Sequence, residues 1–228
     1  MMIKKLAFSL LLFVCALQLK AQFNIHELGR KDIYFGIAMG ISVADYKLIH
    51  TPVHPENDSI RYFKPKLGPG FNLGIIANYQ FHKYFDLRFI PTLCFSDKTI
   101  EYEDLNHSIV KKTISSIYLD FPLQLRFKSD PIKDFRIYVI GGIRYDFDLA
   151  SNVKARKAED IIKVARHDAA GEYGLGFMIY FPYFILSPEI KVSHGFVNLN
   201  VPTPGLIYSR VLQRMYSRTF TLTINLEG

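Results

Sequence analysis

Seven histidines are the first places to look for chemistry. His50 and His54 have the spacing that sets two imidazoles on one helical face. Pro52 and Pro55 interrupt them, so the stretch reads as a loop and not as a metal-binding helix. His26, His82, His107 and His167 fall in loops or at strand ends, and His194 lies on an apolar face near a rim. None has companions at zinc-ligand spacing. Ser151, His167 and Asp168 bring the residue types of a nucleophilic triad to one long loop, but no nucleophile motif surrounds the serine. "GPGFNLG", Gly68 to Gly74, is glycine-rich yet opens a strand instead of a helix, which argues against a phosphate cradle. The sequence therefore predicts no catalytic residue, no cofactor, no metal site and no small-molecule substrate: not an enzyme.

Charge recurs in a different pattern, at alternate positions of otherwise apolar segments. In "IYLDFPLQLRF", Ile117, Leu119, Phe121, Leu123, Leu125 and Phe127 share one face of an extended chain, and Tyr118, Asp120, Pro122, Gln124 and Arg126 the other. A period of two is the signature of a β-strand with one apolar face. Seven further segments follow the same rule: Ile33–Val43, Gly70–Phe81, Phe85–Phe95, Phe135–Leu149, Ala169–Phe181, Phe184–Phe196 and Tyr216–Leu226. Eight strands, an even number, suit a closed antiparallel barrel.

The connections sort by length. His82–Tyr84, Lys128–Asp134 and Pro182–Tyr183 are short; Ala44–Pro69, Ser96–Ser116, Ala150–Asp168 and Val197–Met215 are long, and the two kinds alternate. Outer-membrane barrels have short periplasmic turns, long outer loops and both termini in the periplasm. The apolar face then meets lipid and the polar face fills the lumen. A periplasmic, lipocalin-like ligand carrier would need the faces reversed. Glycine and alanine crowd the polar face (Gly36, Ala38, Gly40, Gly74, Gly142, Gly174, Gly176), where an exposed strand would favour Lys, Thr and Glu. Small residues there make room for large side chains across a narrow lumen.

On this reading, Arg88, Asp120, Arg126, Arg144, Asp146, Glu172, Glu189 and Lys191 point inward and form a structural polar network. Charges in so narrow a space require partners. The expected registers set Asp120 opposite Arg144, Glu189 opposite Gly176, Lys191 opposite Gly174 and diagonal to Glu172, and Asn78 opposite Arg88. Phe181 is expected to meet Phe184, and Phe81 to meet Phe85. An eight-stranded lumen is filled by its own side chains, so no pore is expected.

The N-terminus "MMIKKLAFSLLLFVCALQLKAQ" has early lysines and an apolar stretch from Leu6 to Leu19, too short to span a bilayer as a helix. It reads as a signal peptide, 1–21, cleaved after Ala21, which leaves 22–228 as a single barrel domain. Cleavage removes Lys4, Lys5 and Lys20, so the formal charge falls from +7 by three to +4, and no basic run remains to suggest nucleic acid. Cys94 is then the only cysteine. In the third long loop, "KARKAEDIIKVARHD" carries Ala155, Ala158, Ile161, Ile162 and Ala165 at helix-compatible spacing. A short amphipathic helix there would suit a partner, although a solvated loop is the simpler reading.

"IYLDFPLQLRFKSD", "YVIGGIRYDFDLASNVKAR" and "IYFPYFILSPEIKVSHGF" together resemble the PorT family of outer-membrane barrels from Bacteroidetes-type bacteria. The likeness runs from about Ile33 to Leu226, and "IGGIRYDFDLASN" followed by the basic loop and "SPEIK" is its most specific part. The resemblance implies an accessory role in the type IX (Por) secretion system. That system exports cargo with C-terminal sorting domains, such as proteases and gliding adhesins, across the outer membrane of a Gram-negative cell. Its implied partners are outer-membrane lipid and other envelope components of that system. A general structural or adhesive barrel is the alternative.

Overall fold

The computed structural model describes residues 32–50, 60–104, 109–149, 165–201 and 212–228. The proposed signal peptide, His26, His54, His107, Ser151 and most of the expected third-loop helix lie outside these residues. Ten strands are present: β1 (Ile33–His50), β2 (Ile60–Lys66), β3 (Gly68–His82), β4 (Phe85–Phe89), β5 (Thr92–Asp104), β6 (Ile109–Lys128), β7 (Phe135–Asp148), β8 (His167–Tyr180), β9 (Ile185–Gly195) and β10 (Leu212–Glu227). They make eight staves, because β2 continues outward from β3 after a break at Leu67, and β5 continues β4 after a break at Ile90–Pro91. Pro91 has no N–H to give to a ladder, but its carbonyl still accepts from the Ile75 N–H at 3.1 Å. All neighbours are antiparallel, and β1 pairs with both β10 and β3, which closes the wall.

The expected faces are observed. Outward apolar side chains run from Ile33 to Val43 on β1, from Ile137 to Tyr145 on β7 and from Phe220 to Ile224 on β10, all exposed at the barrel surface. A tilted strand needs about 9–11 residues to cross hydrocarbon, and β1 supplies that length. Inward positions carry Ser, Thr, Asn and charged side chains, almost all buried. A ligand carrier with an apolar cavity is therefore not the fold adopted.

Aromatic pairs ring the short-turn end outside the wall: Phe181 on Phe184 at 4.8 Å, Phe85 on Phe127 at 5.1 Å and Phe135 on Phe177 at 5.4 Å. Both ends of the barrel chain emerge at this end, since Gly36 pairs with Glu227.

Four expectations need correction. Ala44–Pro69 is not a single loop: β1 runs on to His50, β2 occupies Ile60–Lys66 and β3 begins at Gly68. Ser96–Ser116 is mostly a hairpin, not a loop: β5 and β6 pair from Thr92–Asp120 out to Glu103–Ile109. Phe81 and Phe85 do stack at 6.2 Å, but the ladder shifts there and pairs His82 with Phe85. Asp120 lies opposite Asp146, and Arg144 opposite Pro122, two positions from the expected register.

Candidate functional site

The lumen holds the only dense assembly of charge among the described residues, and strand periodicity puts it there. Arg126 on β6 is its centre. The guanidinium donates to Asp86 from Nε at 2.9 Å and from Nη2 at 2.7 Å, and to Glu227 from Nη1 at 2.9 Å. It also reaches the Tyr34 hydroxyl and lies over the Tyr138 ring at 5.1 Å. The Lys128 ammonium meets the other Asp86 oxygen at 2.6 Å. Arg88 donates twice to the Gln124 carbonyl, at 3.0 and 2.7 Å, and once to Glu189; it lies 3.8 Å from Glu227. Glu189 also accepts from the Tyr138 hydroxyl at 2.8 Å.

Three cations, Arg88, Arg126 and Lys128, thus face three carboxylates, Asp86, Glu189 and Glu227, and all six are essentially inaccessible to solvent. Such a set is tolerable only because each ion finds opposite charge and hydrogen bonds at once; an unpaired ion there would cost several kcal/mol. The Gln124 amide links this knot to Glu172. Tyr138, Ile140, Met178, Tyr180 and Ile185 pack against one another at the turn end. Gly176 shows why the inward face needs glycine: a Cβ there would come within 2.6 Å of the Tyr138 hydroxyl and 2.7 Å of the Pro188 carbonyl.

Towards the long-loop end the packing loosens. Arg144 pairs with Asp146 at 2.7 Å and donates to Ser193 at 3.0 Å, and Asp120 and Glu172 act on it electrostatically. The Ser217 hydroxyl donates to Asp168. Among the described residues, cavities of about 30 Å³ lie here, one bordered by Asp120, Asp146, Asp168 and Arg166, another by Glu172, Lys191 and Thr223. Each suits a water and little more.

The eight residues singled out in the sequence all lie inward, but in two groups. Arg88, Arg126 and Glu189 belong to the turn-end knot; Asp120, Arg144 and Asp146 belong to the loop-end half. Glu172 joins the two through Gln124, and Lys191 meets Glu189 at 3.5 Å instead of Glu172. The expected pairs Asn78–Arg88, Gly176–Glu189 and Gly174–Lys191 are present. The network named from the sequence left out Asp86, Tyr34 and Tyr138, although strand alternation places them inward, and it left out Lys128 and Glu227 as well. The signal for Lys128 and Glu227 was there: each continues its strand's inward alternation by one more step. Of the histidines, His167 accepts or donates at 2.6 Å with the Tyr145 hydroxyl and His194 at 3.3 Å with that of Tyr173, both on the outer face.

An apolar exterior, an aromatic ring at one end and a charged, filled interior define a membrane-spanning β-barrel. The chain belongs to the family described as outer membrane protein beta-barrel domain, whose model matches residues 20–200. It is a protein of the outer membrane, and its apolar wall contacts lipid. Among solved structures it is similar to Neisserial surface protein A (10% identity, 84% of this chain and 95% of that one, TM-score 0.44). It is also similar to OprG from Pseudomonas aeruginosa (16% identity, 86% and 94%, TM-score 0.43). A third is Ail, the attachment invasion locus protein of Yersinia pestis (13% identity, 87% and 100%, TM-score 0.38). No curated protein sequence matches the chain.

Proposed function

We propose that this barrel is a non-enzymatic accessory component of type IX protein secretion, of the PorT kind, in a Bacteroidetes-type Gram-negative bacterium. One observation carries the reading: "IGGIRYDFDLASN", followed by the basic segment and "SPEIK", resembles that family. Residues 1–21 act as the cleaved signal peptide and 22–228 as the barrel. The short turns and both chain ends face the periplasm, and the longer connections face outward. The luminal charges serve as structure, holding the staves together from inside. Cargo with C-terminal sorting domains, proteases and gliding adhesins among it, does not pass through this lumen, which Arg88, Arg126 and Tyr138 fill. The barrel acts instead through its turns, rim and outer connections on other envelope components.

Deletion of the gene tests this. Cargo stranded in the periplasm, with loss of surface protease or gliding, is the expected result. Normal secretion and motility would reject the secretion role and favour a general structural or adhesive barrel.

A further inference from the structure

The outer wall changes character along one row. Ascending β10 from the turn end, outward positions read Ile224, Leu222, Phe220, then Arg218, Tyr216 and Arg214. On β1 they read Ile37, Met39, Ile41, Val43, then Asp45 and Lys47; on β9, Ile190 and Val192, then His194. The ladder aligns these switches, since Asp45 pairs with Arg218 and Arg218 with His194. The row therefore marks the loop-side border of the apolar band across three adjacent strands, the depth at which a bilayer's headgroups begin.

At that border the wall has a cleft of about 380 Å³, lined by Lys47, His194, Phe196, Tyr216 and Arg218. Phe196 forms one side by leaning back over β8, where Gly171 leaves its ring room: a Cβ at 171 would lie 2.6 Å from the ring's tip. Arg218 is held in place by Asp45, which accepts from Nε at 2.9 Å and also from Nη2. Those bonds leave the Nη1 donors for a further acceptor, and the side chain remains about half exposed (52%). Lys47 and Arg214 are exposed as well. Three outward cations stand against one outward carboxylate, Asp45, on β1 and β10, a net of +2. A cation held by Asp45 and a second, free one, beside the aromatic side chains Phe196 and Tyr216 and directly above an acyl-facing wall, match a phosphate with chains below it.

We infer that this cleft binds the phosphate of an anionic membrane lipid, with Lys47 and Arg218 as its cationic ligands, Tyr216 and His194 as polar neighbours, and the acyl chains lying on Val192 and Phe220. The site depends on the barrel and its apolar border, not on the secretion role, so each can fail without the other.

The test is native mass spectrometry of the folded full chain released from mixed micelles of phosphatidylcholine and phosphatidic acid. Wild-type protein is expected to retain phosphatidic acid at least about five-fold better than phosphatidylcholine, whose choline offsets its phosphate charge, the gain of roughly one basic side chain beside a net-anionic headgroup. Lys47→Gln, which touches no internal contact, should remove most of that preference. The triple variant Asp45→Asn, Lys47→Gln, Arg218→Gln, which keeps an uncharged cross-strand pair, should abolish it. Lys83→Gln, at the opposite end of the barrel, should retain it. Heat-modifiable gel migration establishes that each variant is folded; should the triple variant not fold, Lys47→Gln alone decides. Equal retention of the two lipids, an unchanged preference in Lys47→Gln, or loss of preference in Lys83→Gln would overturn the proposal. So would displacement of phosphatidic acid by an equal concentration of inorganic phosphate, which would mark a soluble-anion site.

Discussion

Replacing Arg126 with methionine is the sharpest probe of the luminal knot. Methionine keeps much of the aliphatic stem and removes the charge. Asp86 would still be held by Lys128, 2.6 Å away. Glu227 would lose its contacts at 2.9 and 3.2 Å, and its nearest remaining cation, Arg88, is 3.8 Å off and committed to Glu189 and Gln124. The damage therefore falls on Glu227. Breaking a buried pair by removing one partner costs about 3–5 kcal/mol, so Arg126→Met should destabilise by that amount. Glu227→Gln alone should cost about 1–3 kcal/mol, since Arg126 retains Asp86. The double variant restores neutrality: two cations, Arg88 and Lys128, then face two carboxylates, Asp86 and Glu189. It should be at least as stable as Arg126→Met alone, which requires a coupling no smaller than the Glu227→Gln penalty, about 3 kcal/mol at most, in a double-mutant cycle. Equilibrium urea unfolding in lipid vesicles, read by heat-modifiable gel migration, measures all three. Additive effects, or an Arg126→Met penalty under about 1 kcal/mol, would refute the claim that paired charge holds this lumen together.

Leu123 is lipid-facing and 42% exposed, so Leu123→Arg should destabilise by about 2–4 kcal/mol in the same assay, the cost of a cation near mid-bilayer. Gln124→Arg should also fail despite its inward polar position, because Gln124 is fully buried and its carbonyl holds the Arg88 guanidinium. Gly176→Ala should cost about 1–3 kcal/mol by forcing Tyr138 aside, and pairing it with Tyr138→Leu should recover part of that loss. At the exposed turn, a hydrogen bond from Lys83 holds the Asp130 carboxyl below its ordinary value. A depressed folded-state value stabilises above about pH 4 and is lost as pH falls through it, so Lys83→Gln should raise the Asp130 midpoint in an NMR titration.

Within the apolar band the strands were legible because lipid and lumen impose opposite chemistry on alternate residues. Beyond the band that contrast ends. From Ser96 to Ser116 polar residues follow one another without a sustained apolar alternation, so the segment reads as loop although β5 and β6 pair through most of it. The break at Ile90–Pro91 leaves the faces unchanged, because β4 and β5 pair with β6 in one continuous register, whereas at Leu67 the register against β5 slips by one residue, from Gly70–Ser96 to Lys66–Thr99. Inwardness was equally legible, but partnership was not. Neighbouring-strand registers could be counted from the tight turns, which yields Asn78–Arg88 and Gly176–Glu189. The decisive contacts cross the lumen between strands that are not neighbours: Arg126 of β6 meets Glu227 of β10, and Arg88 of β4 meets Glu189 of β9. Those depend on stave tilt and shear, which one chain's periodicity does not encode.

The two halves of the lumen lead to a mechanical conclusion. The turn-end half is charge-balanced, dry and interlocked, so opening it would strand three buried pairs together at several kcal/mol per ion. The loop-end half holds both small cavities and an arrangement in which Asp120 and Asp146 sit opposite each other across a strand pair, with Arg144 near both. Any rearrangement the barrel undergoes is therefore cheapest at the loop end. There β1 also parts from its neighbour: its pairing with β3 stops at Ala44–Gly68, while β2 follows β5. A partner that engages the protein would meet a yielding rim on a rigid base, which favours work at the surface of the barrel over passage through it.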